Sequence, residues 1–228
     1  INDGLVRMIA VPLEPGDAPR SLRCSVLAGG LVSSRKGINL PDSDVSEPAI
    51  TEQDWRCVEW AVGHGLDFLA LSFVRKAAEV RELKIALQGM CSRHHSEDLE
   101  GSGSLIPVIA KIETPQALDE IMVARGDLGV EMELAQVPLV QKRLIAKADE
   151  WGKPCIVATQ MLESMVTSSV PTRAETTDVA NAVLDRADAV MLSAETATGK
   201  HPVLVVETMR RIAAAAEDYA KQNDDRPT

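Results

Sequence analysis

The sequence predicts an α/β fold organised around a parallel sheet. From about residue 47 onward, short apolar segments alternate with amphipathic ones, which is the pattern of strands connected by helices. The strand segments, such as "LDFLALSF" at 66–73, are almost continuously apolar, as in strands that are covered on both faces. With 228 residues, 45% of them hydrophobic, the chain can bury a substantial core. Strands separated by helices predict right-handed crossovers between parallel neighbours.

The first 45 residues have a different sequence pattern. The segments "GLVRMIAV", "SLRCSVLAGG" and "GGLVSSRKGINLP" indicate short β-strands joined by turns. We therefore expect a β-rich part at 1–45, an α/β part at 46–223 and a polar tail at 224–228.

The helices of the α/β part carry recognisable ends. The first is predicted in "EQDWRCVEWAVG", where Ser46 or Thr51 can act as N-cap and Gly63 and Gly65 can end it. The later elements are predicted in this order: strand 66–73, helix 75–90, polar loop 92–104, strands 105–113 and 121–127, helix 134–152, strand 153–162, helix 172–187, strand 188–196 and helix 202–222.

Two parallel architectures fit this order of elements, the doubly wound sheet and the (β/α)₈ barrel. No strand is followed by a glycine-rich dinucleotide or phosphate-loop fingerprint, and this favours the barrel.

Charge and cysteine content exclude several classes of protein. The net charge of −10 argues against a nucleic-acid surface, and no apolar run reaches the roughly 18 residues that span a bilayer. The four cysteines form no CxxC pair, which predicts reduced thiols and a cytoplasmic protein rather than a zinc site or a disulfide framework. Because the first residue is Ile1, we expect the chain to be a piece of a longer protein.

Polar side chains gather at the predicted carboxyl ends of the strands, the edge where α/β proteins carry their active sites. Side chains alternate along "VIAKIE", so Lys111 and Glu113 are predicted to share one face. The other polar residues at these ends are Ser72, Arg75, Asp127, Thr159, Ser193 and Glu195.

This set of residues indicates a chemistry. Carboxylates on neighbouring strand ends suit Mg²⁺ or Mn²⁺, and a lysine beside them adds a mobile positive charge. The turn "ARGDLG" offers backbone N–H groups to an anion. Simpler roles stay open: Lys111 and Glu113 could form a plain ion pair, and Asp127 could cap a helix.

Several motifs resemble those of pyruvate kinases. In chain order they are "SSRKGINLP", "IPVIAKIETPQAL", "IMVARGDLGVE", "KPCIVATQMLESM" and "PTRAETTDVANAVLDRADAVMLSAETATGKHPV". The resemblance implies an incomplete (β/α)₈ TIM-type barrel with the remnant of a small β-rich lid domain. By this resemblance 1–45 would be the C-terminal part of the lid, domain B, and 46–223 would be strands four to eight of the barrel, domain A.

The resemblance also implies roles for individual residues. Glu113 and Asp127 would bind the divalent metal, and Lys111 would stabilise the phosphoryl group in transfer and contact the substrate. Gly126, Asp127 and Thr159 would hold the carboxylate of phosphoenolpyruvate or pyruvate.

The nucleotide and the assembly are implied in the same way. Lys36 would meet the nucleotide in a glycolytic reaction that converts phosphoenolpyruvate and ADP to pyruvate and ATP. The family uses K⁺ as well as Mg²⁺, but the K⁺ ligands would lie outside this chain. Pyruvate kinases assemble as homotetramers, and neither nucleic acid nor membrane is expected as a partner.

Two other functions stay open on the sequence. A metal-dependent aldolase of the pyruvate and phosphoenolpyruvate type also places Glu and Asp on a metal, although such an enzyme needs no nucleotide lid. A non-catalytic remnant is the third reading.

The connection after Glu113 is short. Only "TPQALDE" precedes the next strand, whereas a parallel crossover needs about a dozen residues. We therefore expect that strands 106–113 and 121–127 cannot both keep their full length and parallel registry, and that the outward face of Val108, Ala110 and Ile112 is exposed.

Overall fold

The structure is a computed structural model, and it describes residues 1, 6–13, 21–34, 36–40, 48–94, 105–113, 123–125, 128 and 132–223. The chain divides into two compact units, Ile1–Asp44 and Val45–Thr228.

The first unit contains an antiparallel pair of strands, β1 (Arg7–Val11) and β2 (Arg23–Ala28). A third predicted strand, in 29–40, is wrong for the residues described there, 29–34 and 36–40, since none of them is in a strand. Glycine, serine and proline favour turns over regular ladders, and this segment is rich in them. Lys36 lies in it and is exposed.

The second unit is built on a five-stranded parallel sheet, as the sequence predicts. Its strands are β3 (Leu69–Val74), β4 (Val108–Ile112), β5 (Val123–Ala124), β6 (Ile156–Ala158) and β7 (Ala189–Val190). They lie side by side in chain order. A doubly wound sheet reverses its strand order at a switch point, and these five strands show no such reversal.

The structure gives the bounds of six helices in the described part of the second unit, and Arg125 and Leu128 are helical as well. The six helices are α1 (Glu52–Gly63), α2 (Ala77–His94), α3 (Val137–Glu150), α4 (Arg173–Leu184), α5 (Ala194–Ala197) and α6 (Pro202–Asn223). Turns of 3₁₀-helix occupy Leu134–Gln136 and Glu163–Val166. Over the described residues, none of these helices has the length and apolar character needed to cross a membrane.

Helix ends follow the local sequence. Thr51 is the N-cap of α1, in a capping box with Asp54, while the alternative cap Ser46 lies outside the described residues. Gly65 follows α1 with φ 62°, a conformation that glycine adopts without strain. Thr172 and Glu175 form a second capping box at α4.

The core lies between the sheet and its helices. Its fully buried side chains include Leu87 of α2, Ile112 of β4, Ile145 of α3 and Val157 of β6. In α2 the buried residues Val80, Leu83 and Leu87 recur at helical spacing, as an inward face requires.

The predicted strands are longer than the observed ones. Strand 153–162 ends at Ala158, because Thr159 and Gln160 have φ of 69° and 53°, outside the β region. Strand 188–196 contains only Ala189–Val190, and α5 begins at Ala194. Apolar runs do not show where a backbone turns.

The short crossover allows parallel pairing. Ile112 pairs with Val123 in parallel register, so residues 113–122 connect them. Of the predicted strand 121–127 the structure describes 123–125, and β5 is Val123–Ala124. The predicted exposure of the face of β4 is wrong, since Ile112 is 0% exposed, Ala110 is 7% exposed and Val108 packs partly buried against the core.

Candidate active site

A buried ion pair lies at the carboxyl end of β4. Lys111 is in the strand and Glu113 follows it, so alternation places both on one face as predicted. The Lys111 Nζ atom lies 2.5 Å from Glu113 Oε1. The Glu113 side chain is 1% exposed and that of Lys111 is 25% exposed, so the carboxylate is buried and the lysine is partly accessible to solvent.

The two oxygens of Glu113 are used differently. Oε2 accepts a hydrogen bond of 2.5 Å from the backbone N–H of Phe73. Oε1 accepts no hydrogen bond of good geometry, although Lys111 Nζ is its ion-pair partner. A buried carboxylate oxygen of this kind is a fitting ligand for a hard divalent cation.

Lys111 has a second polar partner on the neighbouring strand. Its Nζ donates a hydrogen bond of 3.1 Å to Ser72 Oγ. The predicted gathering of Ser72 with Lys111 and Glu113 is therefore observed. Arg75 instead pairs with Glu79 at the start of α2, with Nε 3.4 Å from Oε1.

Thr159 stands at the carboxyl end of β6, where the sequence places it. Its backbone is left-handed, and so is that of Gln160. Two successive non-glycine residues in this region are strained unless neighbouring groups fix them. The Thr159 hydroxyl donates to the Ala158 carbonyl at 2.6 Å.

Arg125 fixes this turn, and the sequence reasoning did not assign it a role. Its Nη2 donates to the Thr159 carbonyl at 2.7 Å and its Nε to the Ala158 carbonyl at 3.3 Å. Its Nη1 donates to Asp178 Oδ2 at 2.5 Å and to Gln141 Oε1 at 3.4 Å. An arginine at the end of an apolar strand must find partners when buried, and that was the available signal.

Glu195 connects the ends of β6 and β7. It is 0% exposed, and its two oxygens accept backbone N–H groups, Oε1 from Leu162 at 3.1 Å and Oε2 from Ser193 at 2.8 Å. Gly199 packs against it so closely that an added Cβ would lie 2.1 Å from the Glu195 carbonyl oxygen. Only glycine fits at this position without a backbone shift.

Two further glutamates near this edge have opposite pKa shifts. Burial raises the pKa of Glu163, and the charges of Glu195 and Glu175 raise it further. Burial also raises the pKa of Glu175, but hydrogen bonds from Ser164 and Thr172 outweigh it, so that the pKa is lowered. Glu175 is thus held as a carboxylate that organises the turn before α4.

The structure does not test the remaining predicted site residues. Gly126 and Asp127 lie outside the described residues, and Lys36 belongs to the other compact unit. Within the described part of the chain, no three Asp, Glu, His or Cys side chains come together as a metal site.

A parallel α/β sheet with its buried ionic groups at the carboxyl edge is the architecture of α/β enzymes. A family model described as "Pyruvate kinase, barrel domain" matches residues 1–206. This chain belongs to the pyruvate kinase family.

Three curated relatives show the extent of the similarity. The pyruvate kinase of Corynebacterium efficiens is 50% identical over 234 residues, covering 98% of this chain and 46% of the relative. That of Mycobacterium tuberculosis is 47% identical, covering 96% and 45%. The pyruvate kinase of Thermococcus litoralis is also 47% identical, covering 96% of this chain and 45% of the relative. The chain spans about half the length of the curated relatives it matches.

The aligned length carries further information. The match to the Corynebacterium efficiens protein runs over 234 positions, whereas 98% of the 228 residues is only about 223. About ten positions in this match therefore have no counterpart in this chain.

Proposed function

We propose that this chain forms the catalytic edge of a pyruvate kinase, which passes a phosphoryl group from phosphoenolpyruvate to ADP and yields pyruvate and ATP. The observation that supports this is the Lys111–Glu113 pair, because it holds an ammonium group beside a buried carboxylate oxygen that accepts no hydrogen bond of good geometry. In this proposal 46–223 supply strands four to eight of a (β/α)₈ barrel, and 1–45 supply the end of its lid domain.

Glu113 and Asp127 are the proposed ligands of the divalent metal. Glu113 Oε1 is the oxygen that suits this role, since Oε2 is already bonded to the backbone. A bound Mg²⁺ or Mn²⁺ would supply Lewis-acid stabilisation of charged substrate oxygens.

Lys111 is the proposed stabiliser of the phosphoryl group in transfer. Its ammonium group is held between Ser72 Oγ and Glu113 Oε1, so it need not reorganise as negative charge develops on that group. A fixed cation of this kind stabilises the transition state more than the bound ground state.

The substrate carboxylate is proposed to bind Gly126, Asp127 and Thr159. The Thr159 carbonyl accepts from Arg125, and the Thr159 hydroxyl, which donates to the Ala158 carbonyl, is the group proposed to contact the substrate. Lys36 is the proposed nucleotide contact, and K⁺ and homotetramer formation are proposed on family grounds with the K⁺ ligands outside this chain.

A second candidate, a non-catalytic remnant, is favoured by the short crossover. Ten residues, 113–122, join a parallel pair of strands, and about ten positions of a relative are unmatched. A crossover helix needs about that many residues. We expect little or no turnover by the chain alone and a gain in stability when a helix-length insert follows Asp119.

The proposed function is tested with the purified chain and with three substitutions. Mn²⁺ titration followed by electron paramagnetic resonance should show binding that Glu113→Gln weakens strongly and that Lys111→Met changes little. In a coupled assay for ATP formation, measurable turnover by the chain that Lys111→Met abolishes would support the enzyme and overturn the remnant. Mn²⁺ binding unchanged in both Glu113→Gln and Asp127→Ala would refute the proposed metal ligands.

A further inference from the structure

Strand β3 carries one extra residue opposite Lys111. Leu69, Ala70 and Leu71 pair in turn with Val108, Ile109 and Ala110, but the next pair is Val74 with Ile112. Ser72 and Phe73 therefore face a single residue of β4 and form a β-bulge. Bulges are rare in parallel pairs, and those near functional sites typically redirect a group towards the site.

The backbone of Phe73 is left-handed, with φ 53°. A bulky residue in this region is strained, so neighbouring interactions must hold it there. The ring does not do this by burial, since Phe73 is 52% exposed. The backbone N–H does, because it donates the 2.5 Å hydrogen bond to Glu113 Oε2.

Both residues of the bulge contact the catalytic pair. Ser72 Oγ accepts from Lys111 Nζ at 3.1 Å, and the N–H of Phe73 occupies one oxygen of Glu113. A regular strand would place one residue, not two, opposite Lys111. The irregularity is thus what lets β3 contact Lys111 and Glu113 at once.

We infer that the Ser72–Phe73 bulge is a positioning device, and that the left-handed backbone of Phe73 turns Glu113 Oε1 towards Lys111 and the proposed metal. Phe73 acts through Glu113 and is a positioning residue, not a catalytic one. The part of this inference that concerns the metal rests on the proposed function, whereas the hydrogen bond to Glu113 does not.

A first experiment tests the hydrogen bond without any metal. The chain has two phenylalanines, so labelling with [15N]phenylalanine gives two amide signals, and Phe68→Val identifies which belongs to Phe68. Neutralising the acceptor with Glu113→Gln should move the Phe73 proton upfield by more than it moves that of Phe68. Equal or absent shifts would overturn the inference.

A second experiment tests the positioning role by Mn²⁺ titration. Glycine adopts a left-handed backbone freely and valine resists it. Phe73→Gly should therefore keep the wild-type affinity, whereas Phe73→Val should bind Mn²⁺ about tenfold more weakly or worse, as loss of a group that orients a ligand does. Phe68→Val is the matched control, because Phe68 is 60% exposed and has no left-handed backbone, and it should bind as wild type does.

The remaining outcomes are decisive as well. Equal weakening in Phe73→Gly and Phe73→Val would assign the effect to the ring and overturn the inference, as would no weakening in either. If the wild-type chain does not bind Mn²⁺, the metal role falls with the proposed function. The amide experiment then tests whether Phe73 positions Glu113, independently of any metal. It provides the same test if Phe73→Val fails to fold.

Discussion

Replacing Arg125 by methionine should destabilise the chain by about 3–5 kcal/mol. The guanidinium is 12% exposed and satisfies the carbonyl oxygens of Ala158 and Thr159. A hydrogen bond from a charged group contributes about 1.5–3 kcal/mol, and the Ala158 carbonyl keeps the Thr159 hydroxyl as a second donor. The pair with Asp178 adds less than about 1 kcal/mol, because the Asp178 side chain is 35% exposed and is solvated once released.

Urea denaturation, followed by circular dichroism, measures this loss as a change in the free energy of unfolding. Arg56→Met is the matched control, since Arg56 and its partner Glu52 are 65% and 86% exposed and their pair should contribute less than about 0.5 kcal/mol. If Arg125→Met costs no more than Arg56→Met, the view that Arg125 holds the turn after β6 is refuted.

Three other substitutions or reagents test separate features. Gly199→Ala should destabilise the chain by more than about 2 kcal/mol, because its Cβ would meet a backbone carbonyl. Gly89→Ala in α2 is the control, since its Cβ would have open space and the change should be neutral or stabilising. Equal shifts of the melting temperature in the two variants would contradict this. Glu175 has a lowered pKa, so the stability it contributes is present above its unfolded pKa and is lost as pH falls through its folded one. The difference in the free energy of unfolding between wild type and Glu175→Gln should therefore decrease on acidification. A difference that does not change with pH would contradict the stabilising role of the Glu175 carboxylate. Burial raises the pKa of Cys155 to about 11, so a disulfide reagent at pH 8 should modify exposed Cys57 first and Cys155 only on unfolding; equal rates would contradict this.

Alternation along β4 was enough to predict that Lys111 and Glu113 share a face, because strand geometry fixes this locally. The true ends of the strands were not predictable in the same way. Thr159 has the properties of a good strand residue, yet its backbone is left-handed and its carbonyl accepts from Arg125, which is distant in sequence. The β-sheet propensity of a residue does not include the effect of such a distant contact.

The second wrong prediction concerned the burial of strand β4. The exposure predicted for Val108, Ala110 and Ile112 assumed that nothing replaces a missing helix over β4. In the structure Ile112 is fully buried, and Val108 and Ala110 also belong to or pack against the hydrophobic core. How a core fills a gap depends on packing across the whole sheet, which the length of one connection does not specify.

The bulge in β3 also bears on how the chain behaves in solution. Over the described residues β3 and β7 are the two edges of the sheet, and an edge strand offers its backbone to any other chain that can pair with it. β7 has two residues and is too short to be an effective template, but β3 has six. A bulge bends its strand and is one of the devices by which proteins make an edge unsuitable for pairing. A substitution that straightened β3 would therefore create a regular edge available for aggregation at the same time as it turned Glu113 away from Lys111.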